Sequence, residues 1–224
     1  MNARDAILGR LKKAPRESRQ PERLGDFQAR APGKDGLTER FIERLKQNSA
    51  MVILEKESGD VGSALLKALQ SEGIERVVLT RAADALLGPA FQEAMQTSGV
   101  VGTLAPEDEE GLKRAAFQAY AGVSVAKWGI SELGALALVH GKENPRLLSL
   151  APPLSVIVLK AGSILEDLRA LAIALAPPLA MPSQVTLVSG PSQSADIQGV
   201  PFFGMHGPKK LLAVVLQDGP SKEG

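Results

Sequence analysis

The chain of 224 residues contains no cysteine. That excludes a disulfide framework, a cysteine nucleophile, a thiolate zinc site and any iron–sulfur cluster ligated by the chain itself. It also fits a reducing compartment. Aromatic residues make up only 4%, too few for a platform on which single-stranded nucleic acid would stack. There are two histidines, His140 and His206, far apart and without an H-x-x-x-H pair, so no metal site is expected. No run approaches the ~18 uninterrupted apolar residues of a membrane span. The opening MNARDAILGRLKKAPRE lacks the apolar core of a secretory signal, and the expected location is the cytoplasm. A G-x-S-x-G elbow, a Walker A lysine loop and a G-x-G-x-x-G fingerprint are missing as well, which argues against a serine hydrolase and against the common nucleotide folds.

What is present is an ordinary globular composition, 44% hydrophobic and 23% charged, in a chain long enough to bury a large core. The net charge of +1 is unevenly spread. Residues 1–48 hold 12 Lys/Arg against 7 Asp/Glu, a net of +5, which leaves −4 for the remainder. A basic arm can meet nucleic acid or an acidic partner. The reading preferred here is a solvated arm packing on a neighbouring subunit of a homo-oligomer.

Periodicity divides the chain in two. Residues 1–48 read as an N-terminal helical arm and linker: a short amphipathic helix over 3–13, a Pro/Gly/charge-rich linker over 14–36, and a helix over 37–47 with Phe41, Ile42 and Leu45 inward. Residues 49–224 read as one α/β domain. Strands are expected at 50–55, 76–80 and 99–105, alternating with helices at 60–73, 82–96 and 106–119. That alternation predicts a mainly parallel sheet flanked by helices. The acids opening the helix at 106–119 suit its dipole better than a metal site. The alternation then breaks, with apolar runs at 122–126, 134–140 and 154–160. The turn at Gly141–Pro145 predicts a local antiparallel strand pair. A helix at 163–175 and strands at 184–190 and 211–217 complete the chain.

Three stretches combine glycine with polar groups. In KWGISELGALAL, Glu132 lies between Gly129 and Gly134 just before a strand. A carboxylate there can act as base, nucleophile or hydroxyl acceptor, or it is a solvated Glu at a strand-edge bulge. In QVTLVSGPSQSADIQGV, a strand ends at Gly190 and is followed by Ser192, Ser194 and Asp196. This reads as a helix start whose free N–H groups attract an anion, or as simple capping by serine. In GMHGPKKLLAVVL, His206 and Gly207 precede Lys209 and a strand. Such a histidine can be a general acid or base, or a turn residue satisfied by the backbone.

These stretches, in this order and together with NPRLLSLAPPLSVIVL and the amphipathic DAILGRLKKA, resemble the lactate utilization protein C family, the LUD domain family. The similarity covers most of the chain and is strongest over 127–217. The resemblance implies a fold similar to the sugar-phosphate isomerase and CoA-transferase group. It also implies a cytoplasmic role in oxidising L-lactate to pyruvate beside iron–sulfur partner proteins, which would carry the clusters, with no cofactor bound by this chain. One departure is visible: where the family pattern has hydroxyl residues, this chain has Leu133 and Ala135. The expectation is therefore a small-anion pocket formed by the 129–135, 190–196 and 204–210 loops. Glu132 and His206 are its candidate catalytic groups. Gly134, Gly190, Ser192, Ser194, Asp196, Gly207 and Lys209 are its candidate ligand-binding residues. The pocket is expected beyond the carboxyl ends of the sheet strands. The competing expectation is a non-catalytic assembly or regulatory subunit with a vestigial pocket.

Overall fold

The computed structural model describes residues 36–56, 62–176, 184–195 and 201–217, with Arg4 and Pro182 as isolated residues. The arm helix expected over 3–13, nearly all of the linker and Asp196 lie outside the described residues. Twelve strands and six helices are seen among those described. Strands β1 (Met51–Lys56), β2 (Arg76–Leu79), β3 (Val101–Leu104), β4 (Ala121–Val125), β7 (Leu154–Lys160) and β12 (Lys210–Gln217) form one sheet in the order β1-β12-β7-β4-β2-β3. Every neighbouring pair in it is parallel. The mainly parallel α/β sheet read from the sequence is therefore present.

Parallel strands need both faces covered, so their side chains divide between two cores. On β7, Val156 and Val158 pack on one face and Ile157 and Leu159 on the other. The first face is covered by α2 (Ser63–Ser71) and α3 (Arg81–Ser98), through Leu65, Leu69, Leu87 and Phe91. The second face is covered in two parts. Toward the β3 edge, Val78 packs with α4 (Glu109–Gln118) and the short α5 (Leu147–Leu150). Toward β12, it meets α1 (Leu37–Gln47), through Phe41 and Leu45, and a second sheet.

That second sheet was not anticipated as a separate layer. It contains β5 (Trp128–Ile130), β6 (Ala135–Val139), β8 (Ile164–Leu165) and β9 (Val185–Val188), in the order β8-β5-β6-β9. The expected antiparallel pair exists, but with different members. The 135–139 strand pairs antiparallel with β5 and β9, while 154–160 runs parallel at the centre of the main sheet. The reason is burial. β6 alternates Leu136 and Leu138 toward the main sheet with Ala135 and Ala137 toward α6 (Leu168–Ala174). Sandwiched in this way it must lie between layers, and the turn after it cannot fold 154–160 back beside it. The end of β4 is tied to β6 by Asn144, which accepts from Val125 N at 3.3 Å and donates to the Val125 and Val139 carbonyls at 2.9 and 3.2 Å.

Local signals set most element ends. Thr80, Asp108 and Asp167 cap α3, α4 and α6 by accepting from Ala83, Gly111 and Ala170 N–H. The Asp167 cap starts α6 later than the expected 163, and a 3₁₀ turn with strand β8 fills the gap. The acids of α4 serve the cap and the Lys113 pairs with Glu109 and Glu110. Gly88-Pro89 breaks α3 into two helical segments. The buried Glu55 carboxylate, at the end of β1, accepts from Gly62, Ala64 and Leu65 N–H at 2.6, 2.8 and 3.1 Å. It replaces the missing turn of α2 for three donors at once. Glu55→Ala, which strands these buried N–H groups, is expected to lower unfolding stability by about 2–4 kcal/mol; urea denaturation at neutral pH checks this.

Candidate functional site

The three loops singled out above meet at one end of the second sheet. The register Leu136↔Val188 puts the turn 131–134, before β6, beside residues 189–190, after β9. The C-terminus of α1 joins them. Asn48 donates through Nδ2 to the Leu133 carbonyl at 3.0 Å, and its own carbonyl lies 2.3 Å from where a Cβ on Gly190 would stand. Gly134 has φ +57° and lies against the Arg44 and Leu45 backbone. Ser131 is buried and accepts from Arg40 Nε at 2.8 Å while donating to the Leu37 carbonyl at 2.9 Å. The glycines at 134 and 190 are therefore required by the close approach of α1.

The segment after Gly190 does not begin a helix. Residues Gln193–Ala195 (β10) pair antiparallel with Pro201–Phe203 (β11) in a two-stranded ribbon. Ser192 N donates to the Pro208 carbonyl at 2.9 Å, and Gly204 N to the Ser192 carbonyl at 2.8 Å. Gly207 lies against Ser192 Cβ. The N–H groups expected to be free for an anion are thus used to stitch the second loop to the third, because cross-strand pairing satisfies them more completely than capping would.

The stitching leaves a cleft of ≈ 290 Å³ between the two sheets, lined among others by Ser149, Ser155, Thr186, Ser189, Ser192 and His206. Its position corrects an expectation. Ser155 is the second residue of β7, and the 204–209 loop leads into β12, so the cleft lies at the amino ends of the parallel strands and not beyond their carboxyl ends. Gly190 and Gly207 also line it. Glu132 does not: it is exposed in the β5–β6 turn, its N–H donating to the Glu166 carbonyl at 2.9 Å. Gly134 supports the turn from behind. Ser194 lies in the ribbon, and Lys209 folds against Gly204 beside a neighbouring hollow containing Pro191 and Phe203. The two departing positions are also away from the cleft. Leu133 is 39% exposed in the turn, and Ala135 packs in the outer core with Ile130 and Leu171.

The chemistry of the cleft is one of hydroxyl groups. No carboxylate lines it among the described residues, which also hold no cluster of metal-ligating side chains. Ser149 donates its proton to the Arg146 carbonyl at 2.9 Å. Ser155 is different: its Oγ is buried, at 1% exposure for the residue, and has no partner. A buried hydroxyl without a partner costs about 1–3 kcal/mol. Ser124 Oγ is likewise unpartnered but is not a lining residue. Sequence reading missed Ser155 because it lies in an apolar strand run, SVIVL, with no motif around it. It also missed His140, whose ring nitrogens lie 3.3 Å from the Asn144 carbonyl and 2.9 Å from Thr186 Oγ1.

The six-stranded parallel sheet, the sandwiched second sheet and the cleft between them define a layered α/β protein. The chain belongs to the LUD domain family, whose sequence pattern matches residues 38–216. It is 28% identical to the uncharacterized protein NMB1437 of Neisseria meningitidis serogroup B, over 96% of this chain and 94% of that one. It is 36% identical to the uncharacterized protein YkgG of Escherichia coli over 45% of this chain and 46% of the relative. A lactate utilization protein C of Halalkalibacterium halodurans is 30% identical over 49% of each chain. The matched regions thus span about half the length of the last two relatives. The crystal structure of a DUF162 family protein from Deinococcus radiodurans superposes with a TM-score of 0.57, at 21% identity, over 80% of this chain and 96% of that one, and shares the fold.

Two outcomes follow from this geometry. Gly190→Ala is expected to destabilise the protein by about 2–3 kcal/mol, because its Cβ collides with backbone. Gly141→Ala, where the space is open, is the control in the same denaturation series. Burial, reinforced by the charge of Arg146 and opposed by the Asn144 hydrogen bond, holds the His140 ring below its ordinary pKa. The folded state therefore binds a proton less readily than the unfolded chain, and stability is lost as pH falls below about 6.5. In His140→Gln the stability profile from about pH 6.5 to 5 should be shallower than in the wild type; equal slopes would assign the loss to other groups.

Proposed function

We propose that this chain acts in L-lactate utilization as a cytoplasmic subunit that holds a small organic anion in the hydroxyl-lined cleft. Oxidation of lactate to pyruvate would proceed with iron–sulfur partner proteins, since a cysteine-free chain supplies no thiolate for a cluster. Family membership and the naming of several relatives as lactate utilization proteins C support the pathway. The observation that carries the site is the orphaned Ser155 hydroxyl, in a cleft whose rim is built from the Gly190–Ser192 and His206–Gly207 segments. Serine hydroxyls donate to carboxylate oxygens, and the exposed His206 supports the reading with a ring able to hydrogen-bond a ligand or move a proton at it.

A vestigial pocket in an assembly subunit is the reading that Leu133 and Ala135 would motivate. Neither residue lines the cleft, so that motive is weak. Both positions belong to the turn and the outer core.

Thermal unfolding of the full chain against L-lactate, pyruvate, sugar phosphates and CoA thioesters tests the proposal. A ligand at about a hundred times its dissociation constant should add about 2.7 kcal/mol. Ser155→Ala should show two opposite effects: the ligand shift disappears, while the unliganded protein is unchanged or stabilised, because an unpaired buried hydroxyl has been removed. A shift that survives in Ser155→Ala would place the ligand elsewhere. No shift with any compound would leave the assembly role as the working account.

A further inference from the structure

The cleft also carries information about which form of a ligand it prefers, through a residue that does not line it. His140 continues the inward face of β6 after Leu136 and Leu138, and its N–H donates to the Gln184 carbonyl beside β9 at 3.3 Å. Its Nδ1 faces the Asn144 carbonyl at 3.3 Å and its Nε2 faces Thr186 Oγ1 at 2.9 Å. A carbonyl only accepts, so Nδ1 must carry the proton. Nε2 of the neutral ring is then a lone pair, and the Thr186 hydroxyl must donate to it. Asn144 cannot turn away to change this. Its side chain is fixed on Val125 and Val139, and its backbone closes the 141–144 turn with Gly141.

The consequence reaches the cleft through Thr186. Thr186 and Val188 face the main sheet, and Thr186 lines the cleft. With its only proton committed to His140, its oxygen keeps lone pairs and has no donor left for a further partner. Resting on the cleft reading above, we infer that the ligand presents a hydroxyl donor to Thr186 and that His140 is the positioning residue that sets this preference. A hydroxy compound completes the chain of donors, ligand to Thr186 to His140. The corresponding carbonyl compound places two acceptors against each other and leaves Thr186 unsatisfied. Ser149, whose proton is committed to the Arg146 carbonyl, has the same polarity. Ser155 remains the hydroxyl free to donate to another ligand oxygen.

Protonation of His140 reverses the polarity. Nε2–H would then donate to Thr186, and the threonine proton would turn toward the cleft. Arg146 is the charged group acting on the ring and opposes that protonation. Lys142 and Glu143 in the same turn are exposed. Thr186 from β9 and the amide of Asn144 are its uncharged neighbours.

The test is isothermal titration of the full chain at about pH 8, where the ring is neutral, with two matched pairs: L-lactate with pyruvate, and L-lactamide with pyruvamide. The hydroxyl member is expected to bind at least about tenfold more tightly. Thr186→Val should bring that ratio to near one and Thr186→Ser should keep it. His140→Phe should abolish it without abolishing binding. Lowering the pH through the titration of His140 should shrink the ratio in the wild type and leave it unchanged in His140→Phe. L-lactate bound no better than pyruvate overturns this inference and leaves the pocket standing. A preference for L-lactamide over pyruvamide with neither acid bound upholds it and removes the lactate reading. Binding of none of the four overturns this inference and the lactate reading together.

Discussion

The structure depends on the burial of β7 and β12 on both faces. Val156, Val158, Leu212 and Val214 commit one face to α2 and α3, and Ile157, Leu159, Ala213 and Val215 commit the other to a second layer. At about 25 cal/mol per Å² of buried apolar surface, neither face could be left to water. The second layer is a sheet and a helix side by side, and their junction with the main sheet stops short at the strand beginnings. Ser155 and Leu211 are the first inward residues of their strands, and there the apolar seam opens into the cleft. The cleft is thus the unfilled end of a core. That is why its walls carry few charges and why a single unpaired hydroxyl within it counts.

Two devices hold the layers in the alignment that keeps this end open. Asn144 ties the end of β4 to the end of β6 by three hydrogen bonds, none made by regular strand pairing. The C-terminus of α1 clamps the opposite end of the second sheet, where Gly134 and Gly190 let backbone approach backbone. Lys209 and Lys210 N–H groups donate to the Pro153 carbonyl, which anchors the histidine loop to the entrance of β7. Motifs that look like ligand loops are therefore in large part fasteners, and the cleft-lining hydroxyls sit between them.

Much of the fold is legible from periodicity. The inner main-sheet strands appear at the expected places because buried parallel strands are continuous apolar runs, and VVL and LSVIVLK can be little else. The partners of β6 were not legible. Short segments such as WGI and IL carry too few residues to show a period, and pairing is decided by what buries the alternate alanines. The ribbon at 193–203 was hidden for a similar reason: serine after a strand signals a cap as well as it signals a hairpin.

The site divides in the same way. Residue types and their order determined which loops matter and the family to which the chain belongs, since glycines at 134, 190 and 207 beside polar residues are chemical features of the chain itself. Only the tertiary structure decided which of those residues face the same space. It sent Glu132 to solvent, placed Ser192 and His206 on a common rim, and brought in Ser155 and Thr186 from strands that carry no motif. It also set what the His140 ring meets, because a carbonyl four residues away is held against Nδ1 by packing between two sheets. Local sequence encodes what each side chain is able to do. The long-range burial of β6, β7, β9 and β12 decides what each one meets.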